Sequence, residues 1–347
     1  MPALQKNFDS IDIMKFIASI AIVAIHADAL YDIDVNLNHF ICHGLFRIAV
    51  PLFFFASAYF FFKKDLNEKN IYNFCKRLAV LYIYWFIITL PITVFNRFYC
   101  SKYSFSVTLF RFLRGFIFSS TFGGSWYLMS CFFCGILFYY LNKIKYNQLK
   151  LTIIVIISVY SYFLPVLCST YGTVINNFSE LQKIYKIYEM FFAKPYNSII
   201  VGIPYFAIMF YYHNNLNSIR KDWKLYMISI IFVVLFISEI LIVNIYDLKK
   251  ASDCYVFLLP VSVCLFIFTL CSNINFVNSK QLRKCSTIIY FSHFIWLFML
   301  EFLEWATKIR LSNLIKFILA VIMSVICAFI LLYLENNSKL KWIKYLY

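Results

Sequence analysis

Residues 12–28 read DIMKFIASIAIVAIHAD. It is an apolar run with Asp12 and Lys15 at its start and His26 and Asp28 at its end. Lys15 and His26 are eleven residues apart, which at about 100° per residue is roughly three turns plus 20°. Both side chains therefore share one face of a helix, roughly 16 Å apart along its axis. Because ionisable groups inside a membrane helix are costly, each is a candidate functional group.

The composition indicates a polytopic membrane protein. The 347 residues are 63% hydrophobic and 21% aromatic, and only 14% are charged, whereas soluble proteins carry about 25% charged residues. Several apolar runs approach or exceed the roughly 18 residues that cross a bilayer. The net charge of +16 does not indicate nucleic acid as a partner, because Lys and Arg lie mainly in short segments between the apolar runs, as orientation signals do.

About ten transmembrane helices are predicted, in an all-α fold. We expect residues 1–347 to form a single integral membrane domain, because no polar stretch is long enough to fold alone. The first apolar run carries charges and lacks a small-residue cleavage site, so no cleavable signal peptide is expected. The predicted spans are residues 11–30, 45–62, 78–96, 124–142, 150–168, 196–213, 224–243, 254–271, 286–305 and 314–334.

The distribution of basic residues predicts that both termini are cytoplasmic. An even number of spans places the two termini on one side. The segments on that side contain 18 Lys and Arg, against 12 on the opposite side, and the more basic side is normally the cytoplasmic one. We therefore predict a multi-pass protein of the cell (inner or plasma) membrane, in contact with membrane lipids.

His26 is the candidate catalytic residue. A neutral imidazole is able to take a proton from a hydroxyl group and return it later, so we predict a general base here. Arg47 lies just inside the second span, at roughly the depth of His26 and Asp28. A guanidinium at that depth must be paired or line a water-filled cavity. Two alternatives stay open for Arg47: an ion pair with Asp28, or contact with a substrate oxyanion.

Other polar groups have both a structural and a functional interpretation. His293, in the ninth span, is either part of the site or an interhelical hydrogen-bonding group. Arg77 belongs to a basic cluster with Lys63, Lys64 and Lys76. That cluster is either a topology signal or a phosphate-binding patch.

The stretch GGSWYL at 123–128 opens the fourth predicted span. Its two glycines permit close backbone approach, and Trp126 and Tyr127 are candidate interfacial anchors. Cys131 and Cys134 form a CxxC motif inside the same span, where cysteines behave as small hydrophobic residues. No cluster of His, Cys and acidic residues has metal-ligand spacing, so no metal site is expected.

Two segments on the predicted external side are longer than a plain connection needs. Residues 99–123 and 168–195 contain SVTLFRFLRGFIF and ELQKIYKIYEMFF, which have amphipathic patterns. Such helices lie in the membrane interface. They are either simple connections or a roof over an external acceptor site.

Taken in order, the motifs resemble the acyltransferase-3 family of integral membrane enzymes, many of which O-acetylate cell-surface polysaccharides. The match rests on DxxK at 12–15, on KxxxxxxxxxxH ending at His26, and on RxxVPLFFFxSxY at 47–59. WYL at 126–128 and IYxxH at 289–293 are similar to later signatures of that family.

The chain departs from the family pattern at two places. Ser57-Ala58-Tyr59 replaces the usual SG[YF], and Lys76-Arg77 stands where the first cytoplasmic loop commonly has a pair of arginines. The first change alters the close approach that glycine permits, and the second changes the contacts available to a donor.

The resemblance implies an acyl-CoA donor, usually acetyl-CoA, as a cytoplasmic co-substrate, and an extracytoplasmic glycan acceptor; no bound cofactor is implied. The CoA phosphates require cations, and the thin pantetheine arm would deliver the thioester near His26. Arg47, or a group near Trp126, would stabilise the developing negative charge. We therefore expect donor or substrate binding by Asp12, Lys15, Arg47, Arg77, Trp126, Tyr127 and His293.

A transporter or flippase for polysaccharides or small molecules is the main alternative. Many spans with ionisable groups near the midplane also describe secondary carriers. Carriers often contain paired halves, and no internal repeat is visible here. A sensor or scaffold without chemistry would leave the shared face of Lys15 and His26 unexplained.

Overall fold

The computed structural model describes residues 8–213, 223–249, 251–272, 274–335 and 338–347, and within them every regular element is helical. This confirms the predicted all-α class. The α-helices are α1 (Asp9–Ala27), α2 (Val35–Ile41), α3 (Ala49–Phe62), α4 (Glu68–Val94), α5 (Phe105–Phe118), α6 (Ser125–Asn142), α7 (Asn147–Cys168), α8 (Gly172–Ile175), α9 (Ser179–Phe192), α10 (Ile203–Tyr212), α11 (Trp223–Ile245), α12 (Leu258–Leu270), α13 (Ser279–Thr307) and α14 (Asn313–Leu334). Shorter helical turns cover Leu45–Ile48, Phe95–Tyr99, Pro195–Asn197 and Ser338–Leu346.

Seven helical segments in the described residues are long and apolar enough to cross a membrane. The chain is thus a polytopic membrane protein, as predicted, although the number of ten spans stays a prediction. The seven segments are Asp9–Ala27, Val35–Phe62, Glu68–Tyr99, Asn147–Cys168, Trp223–Ile245, Ser279–Thr307 and Asn313–Leu334.

Two of the other predicted spans are only partly helical. α10 has 10 residues and α12 has 13, which at about 1.5 Å per residue is well short of a 30 Å hydrocarbon core. The residues directly before each helix are irregular but buried, as Ile199 and Tyr255 are. Irregular backbone at membrane depth is tolerated where it is buried in protein.

α1 is the central helix of the bundle. It packs against α3, α13 and α14, and its small residues Ala18, Ser19, Ala24 and Ala27 are buried in these contacts. Small side chains let neighbouring membrane helices approach closely. The helix ends at Ala27, and the next residue, Asp28, has a left-handed conformation (φ 49°) that turns the chain away two residues after His26.

The second predicted span is broken near its start. A short 3₁₀ turn over Leu45–Ile48 precedes α3, so Pro51 lies in the first turn of that helix. A proline there interrupts no helical hydrogen bond, since the first N–H groups of a helix have no intrahelical acceptor. The break leaves Arg47 in the 3₁₀ turn beside the end of α1.

The two predicted amphipathic segments contain helices α5 and α9, which pack against each other. Arg114 Nη1 donates to the carbonyls of Glu189 (2.7 Å) and Met190 (3.0 Å) near the end of α9. Both helices leave apolar side chains exposed, among them Leu113 on α5 and Ile187 on α9. Their position in the membrane interface stays a prediction.

Candidate active site

His26 lies against α13 at the end of α1. Its ring is stacked on that of His293 with 5.4 Å between centroids, and it lies 4.5 Å from the ring of Phe294. The side chain is exposed although its neighbours Ile25 and Ala27 are buried. The ring therefore contacts a buried residue of α13 while part of the side chain lies at the surface of the bundle. We use the term imidazole layer for His26 and His293.

His293 presents an unused nitrogen to this layer. Its Nδ1 donates to the carbonyl of Ile289 at 3.0 Å. Since a carbonyl only accepts, Nδ1 carries the proton and Nε2 carries the lone pair in the neutral ring. The ring is fully buried, and Nε2 has no hydrogen-bond partner in the described residues. Buried polar atoms without partners are rare and mark sites for water or a ligand.

Arg47 is held close to the imidazole layer by two partners. Its Nη1 donates to Asp253 Oδ1 at 2.6 Å, and its Nη2 donates to His43 Nδ1 at 3.1 Å. The guanidinium is close enough to act electrostatically on His26. Its Nε is buried and has no hydrogen-bond partner among the described residues.

Asp28 does not pair with Arg47, which answers one of the alternatives left open by the sequence. Its Oδ1 accepts from His43 Nε2 at 2.5 Å and from the Asn38 amide at 3.0 Å. The hydrogen bond from His43 lowers the pKa of the Asp28 carboxyl, which favours its ionised form. His43, which is not among the site residues predicted from the sequence, therefore lies between Asp28 and Arg47.

The segment that carries Asp253 is fixed from several sides. Glu239 on α11 accepts from the backbone N–H groups of Val256 (2.7 Å) and Phe257 (2.9 Å), just before α12 begins. The hydroxyl of Tyr171 also donates to Glu239 at 2.8 Å. Glu239, a buried acid in the seventh predicted span, thus has hydrogen-bond partners, and it fixes the backbone just after Asp253.

Three cations form a second layer, at the level of the bundle where α1 and α13 begin. Arg77 on α4 and Arg283 on α13 are close enough to act electrostatically on Lys15, as is the buried Asp12. None of the three cations forms an ion pair with a carboxylate in the described part of the chain. Unpaired cations gathered from three helices favour an anionic ligand. We use the term cation layer for Lys15, Arg77 and Arg283.

α1 and α13 each carry one residue of the cation layer and one of the imidazole layer, at nearly the same spacing. Asp9 accepts from the backbone N–H of Phe276 at 2.8 Å, so α1 and α13 start side by side and run in parallel. Lys15 and His26 are eleven residues apart on α1, and Arg283 and His293 are ten apart on α13. Both spacings are roughly 15–16 Å of helix.

Three buried aromatic rings connect the cation layer to the imidazole layer. Phe53 lies 5.8 Å from Lys15 Nζ and 5.5 Å from the ring of Tyr290, which is 6.4 Å from His293. Tyr127 completes the group, 5.8 Å from Tyr290. Its hydroxyl donates to the Phe53 carbonyl at 3.1 Å.

The glycine pair brings the start of α6 against α13. A Cβ atom on Gly123 would lie 2.1 Å from the ring of Phe294, and one on Gly124 would lie 2.9 Å from Tyr290. Gly124 also has a φ of 74°, a left-handed conformation that glycine adopts more easily than other residues. The close approach predicted for this pair is confirmed. Trp126 packs on Phe54, with 5.9 Å between ring centroids, and its role beside the substrate stays a prediction.

The structure thus divides the predicted site residues into two groups. His26, Arg47 and His293 lie at the imidazole layer, and Asp12, Lys15 and Arg77 lie at the cation layer, while Tyr127 packs between them. Sequence reasoning missed His43, Asp253, Arg283 and Phe294. Arg283 had entered only as one of the basic residues that set the orientation. Its spacing to His293, close to that between Lys15 and His26, was the signal available.

The chain matches a known protein family over nearly its whole length. The sequence model of the acyltransferase 3 family, described as an acyltransferase domain, matches residues 8–333. The chain belongs to the acyltransferase 3 family. This membership confirms the predicted resemblance and assigns the chain to a family of membrane enzymes that transfer acyl groups.

Two curated relatives carry the name amino-acid racemase, and both come from Enterococcus faecalis. One is 25% identical over 264 residues, which are 76% of this chain and 36% of the relative. The other is 21% identical over 344 residues, which are 97% of this chain and 47% of the relative. The chain therefore spans between a third and a half of the length of these relatives. No solved structure matches the chain.

Proposed function

We propose that this acyltransferase 3 protein transfers an acetyl group from cytoplasmic acetyl-CoA to a hydroxyl group of a cell-surface saccharide outside the membrane. The observation that carries this proposal is the pair of matched layers on α1 and α13. Unpaired cations lie at one level, and two imidazoles lie about 15–16 Å further along.

The cation layer fits the phosphate end of the donor. CoA carries several phosphate groups, and among the described residues none of Lys15, Arg77 and Arg283 forms an ion pair with a carboxylate, although Asp12 lies near Lys15. The excess of Lys and Arg in the predicted cytoplasmic segments supports an orientation in which this layer faces the side where acyl-CoA is found. The pantetheine arm would pass Phe53, Tyr127 and Tyr290 to bring the thioester to the imidazole layer.

His26 is the general base of the proposed reaction. It removes the proton from the acceptor hydroxyl as the hydroxyl oxygen attacks the thioester carbonyl. The carbon–sulfur bond then breaks, and the CoA sulfur leaves with the proton that His26 had taken. The products are an ester on the saccharide and free CoA, so His26 returns to its neutral form.

Arg47 is the candidate for stabilising the tetrahedral intermediate. Negative charge develops on the carbonyl oxygen, and a preorganised donor near that oxygen lowers the barrier. The guanidinium is fixed by Asp253 and His43 and retains a buried Nε–H without a partner in the described residues. The neutral His293 stacks on His26 and fixes the orientation of the base.

Replacement of the base tests the proposal. We expect His26→Ala to lower surface acetylation by about 10²–10⁴-fold, the usual contribution of a general base, while the protein still enters the membrane. Acetate released from purified surface glycans by mild alkali measures this loss. His213→Ala is the matched control, because His213 lies at the end of α10 and its Nδ1 bonds the Met209 carbonyl.

Two outcomes would contradict the proposal. One is a wild-type level of glycan acetate in His26→Ala cells. The other is transport of a saccharide or small molecule by the purified protein in vesicles, without consumption of acetyl-CoA, which would favour the transporter alternative.

A further inference from the structure

A continuous chain of polar contacts joins the end of α1 to the segment before α12. Asp28 accepts from His43 Nε2 at 2.5 Å, and His43 Nδ1 accepts from Arg47 at 3.1 Å. Arg47 in turn donates to Asp253 at 2.6 Å. The side chains of His43, Arg47 and Asp253 are only 15–19% exposed. The two ends of this chain are 225 residues apart in sequence.

The direction of the contacts determines which ring nitrogen of a neutral His43 carries the proton. A guanidinium only donates hydrogen bonds, so His43 Nδ1 must carry a lone pair where it meets Arg47. The proton of the neutral ring is then on Nε2, where it is donated to Asp28. His43 therefore accepts from a cation on one side and donates to an anion on the other.

The frame around His43 is itself ordered by hydrogen bonds. The hydroxyl of Tyr255 donates to the carbonyl of His43 at 2.8 Å. Asn38 connects the Asp28 carboxylate to the backbone N–H of Leu30, at 3.0 and 3.2 Å. His43 is consequently held by the loop after α1 and by the segment before α12 at once.

We infer that His43 is a positioning residue that holds Arg47 beside His26 for the transfer step. This inference rests on the proposed function. With two of its nitrogens engaged by His43 and Asp253, the guanidinium has one orientation, and its Nε–H needs no rearrangement when charge develops on the thioester oxygen. A donor that is already in place stabilises a transition state more than one that must reorient.

A double-mutant cycle tests the inference. Membrane vesicles from cells that express the chain are supplied with radiolabelled acetyl-CoA, and the label in base-labile glycan is measured. We expect His43→Leu to lower kcat about 10–100-fold, somewhat less than the usual loss of an oxyanion donor, with the KM for acetyl-CoA unchanged. His43→Asn keeps an acceptor near the position of Nδ1, and we expect it to restore part of the rate.

The cycle uses Arg47→Lys as the second change. If His43 acts through Arg47, His43→Leu causes little further loss in the Arg47→Lys background. A loss by the same factor in both backgrounds overturns the inference, as does a raised KM for acetyl-CoA with an unchanged kcat. His39→Leu is the matched control, since the His39 ring lies 5.6 Å from His43 but has no bond to Arg47.

His26→Ala in the same vesicles separates the two hypotheses. Full activity of His26→Ala contradicts the proposed function itself. Loss of activity in His26→Ala, together with independent effects of His43 and Arg47, overturns only the role of His43. The amount and thermal stability of each variant in detergent identify any protein that fails to fold.

Discussion

At the residue scale, Arg283 offers the sharpest test of the cation layer. Its guanidinium acts on Lys15 and on Arg77, and it has no ion pair among the described carboxylates. If it contacts a CoA phosphate, Arg283→Gln should raise the KM for acetyl-CoA about tenfold and leave kcat nearly unchanged. This follows because a hydrogen bond to a charged group contributes about 1.5–3 kcal/mol, and 1.4 kcal/mol is tenfold in affinity.

The matched control for this prediction is Lys280→Gln. Lys280 lies one turn earlier on α13 and is exposed, so its replacement removes the same charge from the same helix. Initial rates over a range of acetyl-CoA concentrations give both constants. Equal KM values for the two variants would argue against a donor contact at Arg283.

The sequence predicts single residues well where helical periodicity is enough. Lys15 and His26 share a face because the rotation per residue is fixed, and the structure places each of them in one of the two layers. The partner of Arg47 was not predictable in this way. Asp253 is 206 residues away, and no local rule connects the two. The contacts of His43 were not predictable either, because they depend on how the loop that carries it is placed between Arg47 and Asp28.

At the element scale, Gly123 controls how closely α6 approaches α13. We expect Gly123→Ala to lower glycan acetylation by at least tenfold, because the new Cβ would overlap the Phe294 ring at 2.1 Å and overpacking displaces side chains. Phe294 contacts both His26 and His293, with centroids 4.5 and 4.1 Å apart, so the imidazole layer would shift with it.

The double variant Gly123→Ala/Phe294→Leu tests this explanation, because it replaces the Phe294 ring with a smaller side chain. The double variant should recover part of the acetylation lost in Gly123→Ala, since a leucine leaves room for the new methyl group. Measurements of glycan acetate for both variants and for Phe294→Leu alone show whether the overlap with Phe294 causes the loss. If the double variant is no better than Gly123→Ala, the overlap with Phe294 is not the cause.

Apolar composition predicts helices better than it predicts their limits. The predicted span at 254–271 begins with an irregular segment, because side chains replace the helical partners of its backbone. Tyr162 donates to the carbonyls of Tyr255 and Val256, both at 2.8 Å, and Glu239 accepts from the N–H groups that follow. A run of apolar residues looks the same in sequence whether its backbone bonds to itself or to side chains from other helices.

At the scale of the whole molecule, the orientation in the membrane has a direct test. Cys100 is the one exposed cysteine of the eleven, and it lies in a segment predicted to face the outside. A membrane-impermeant maleimide should therefore label the wild-type protein in intact cells and leave Cys100→Ser unlabelled. Labelling of the wild-type protein only after the membrane is opened would reverse the proposed orientation and place the cation layer outside.

The general architecture could be predicted from the sequence, but the packing of α1 beside α13 could not. Composition and motif order indicated an all-helical membrane protein of this family, and family membership is confirmed. The side-by-side, parallel course of α1 and α13 brings together residues more than 250 positions apart, which depends on tertiary packing throughout the bundle. Without that course, Arg283 and His293 appear as unrelated residues on a late helix.

The parallel course of α1 and α13 sets a fixed distance between the cation layer and the imidazole layer. If the cation layer binds the donor phosphates and the transfer takes place at the imidazole layer, as proposed, the fixed distance between the layers selects a donor by its length as well as by its chemistry. An acyl carrier with a shorter or longer arm would be anchored correctly and still hold its carbonyl in the wrong place. One additional turn in both helices would lengthen the distance between the two layers by about 5.4 Å. Changes in donor preference are therefore expected from the number of residues between the layers on α1 and α13 rather than from the reacting side chains.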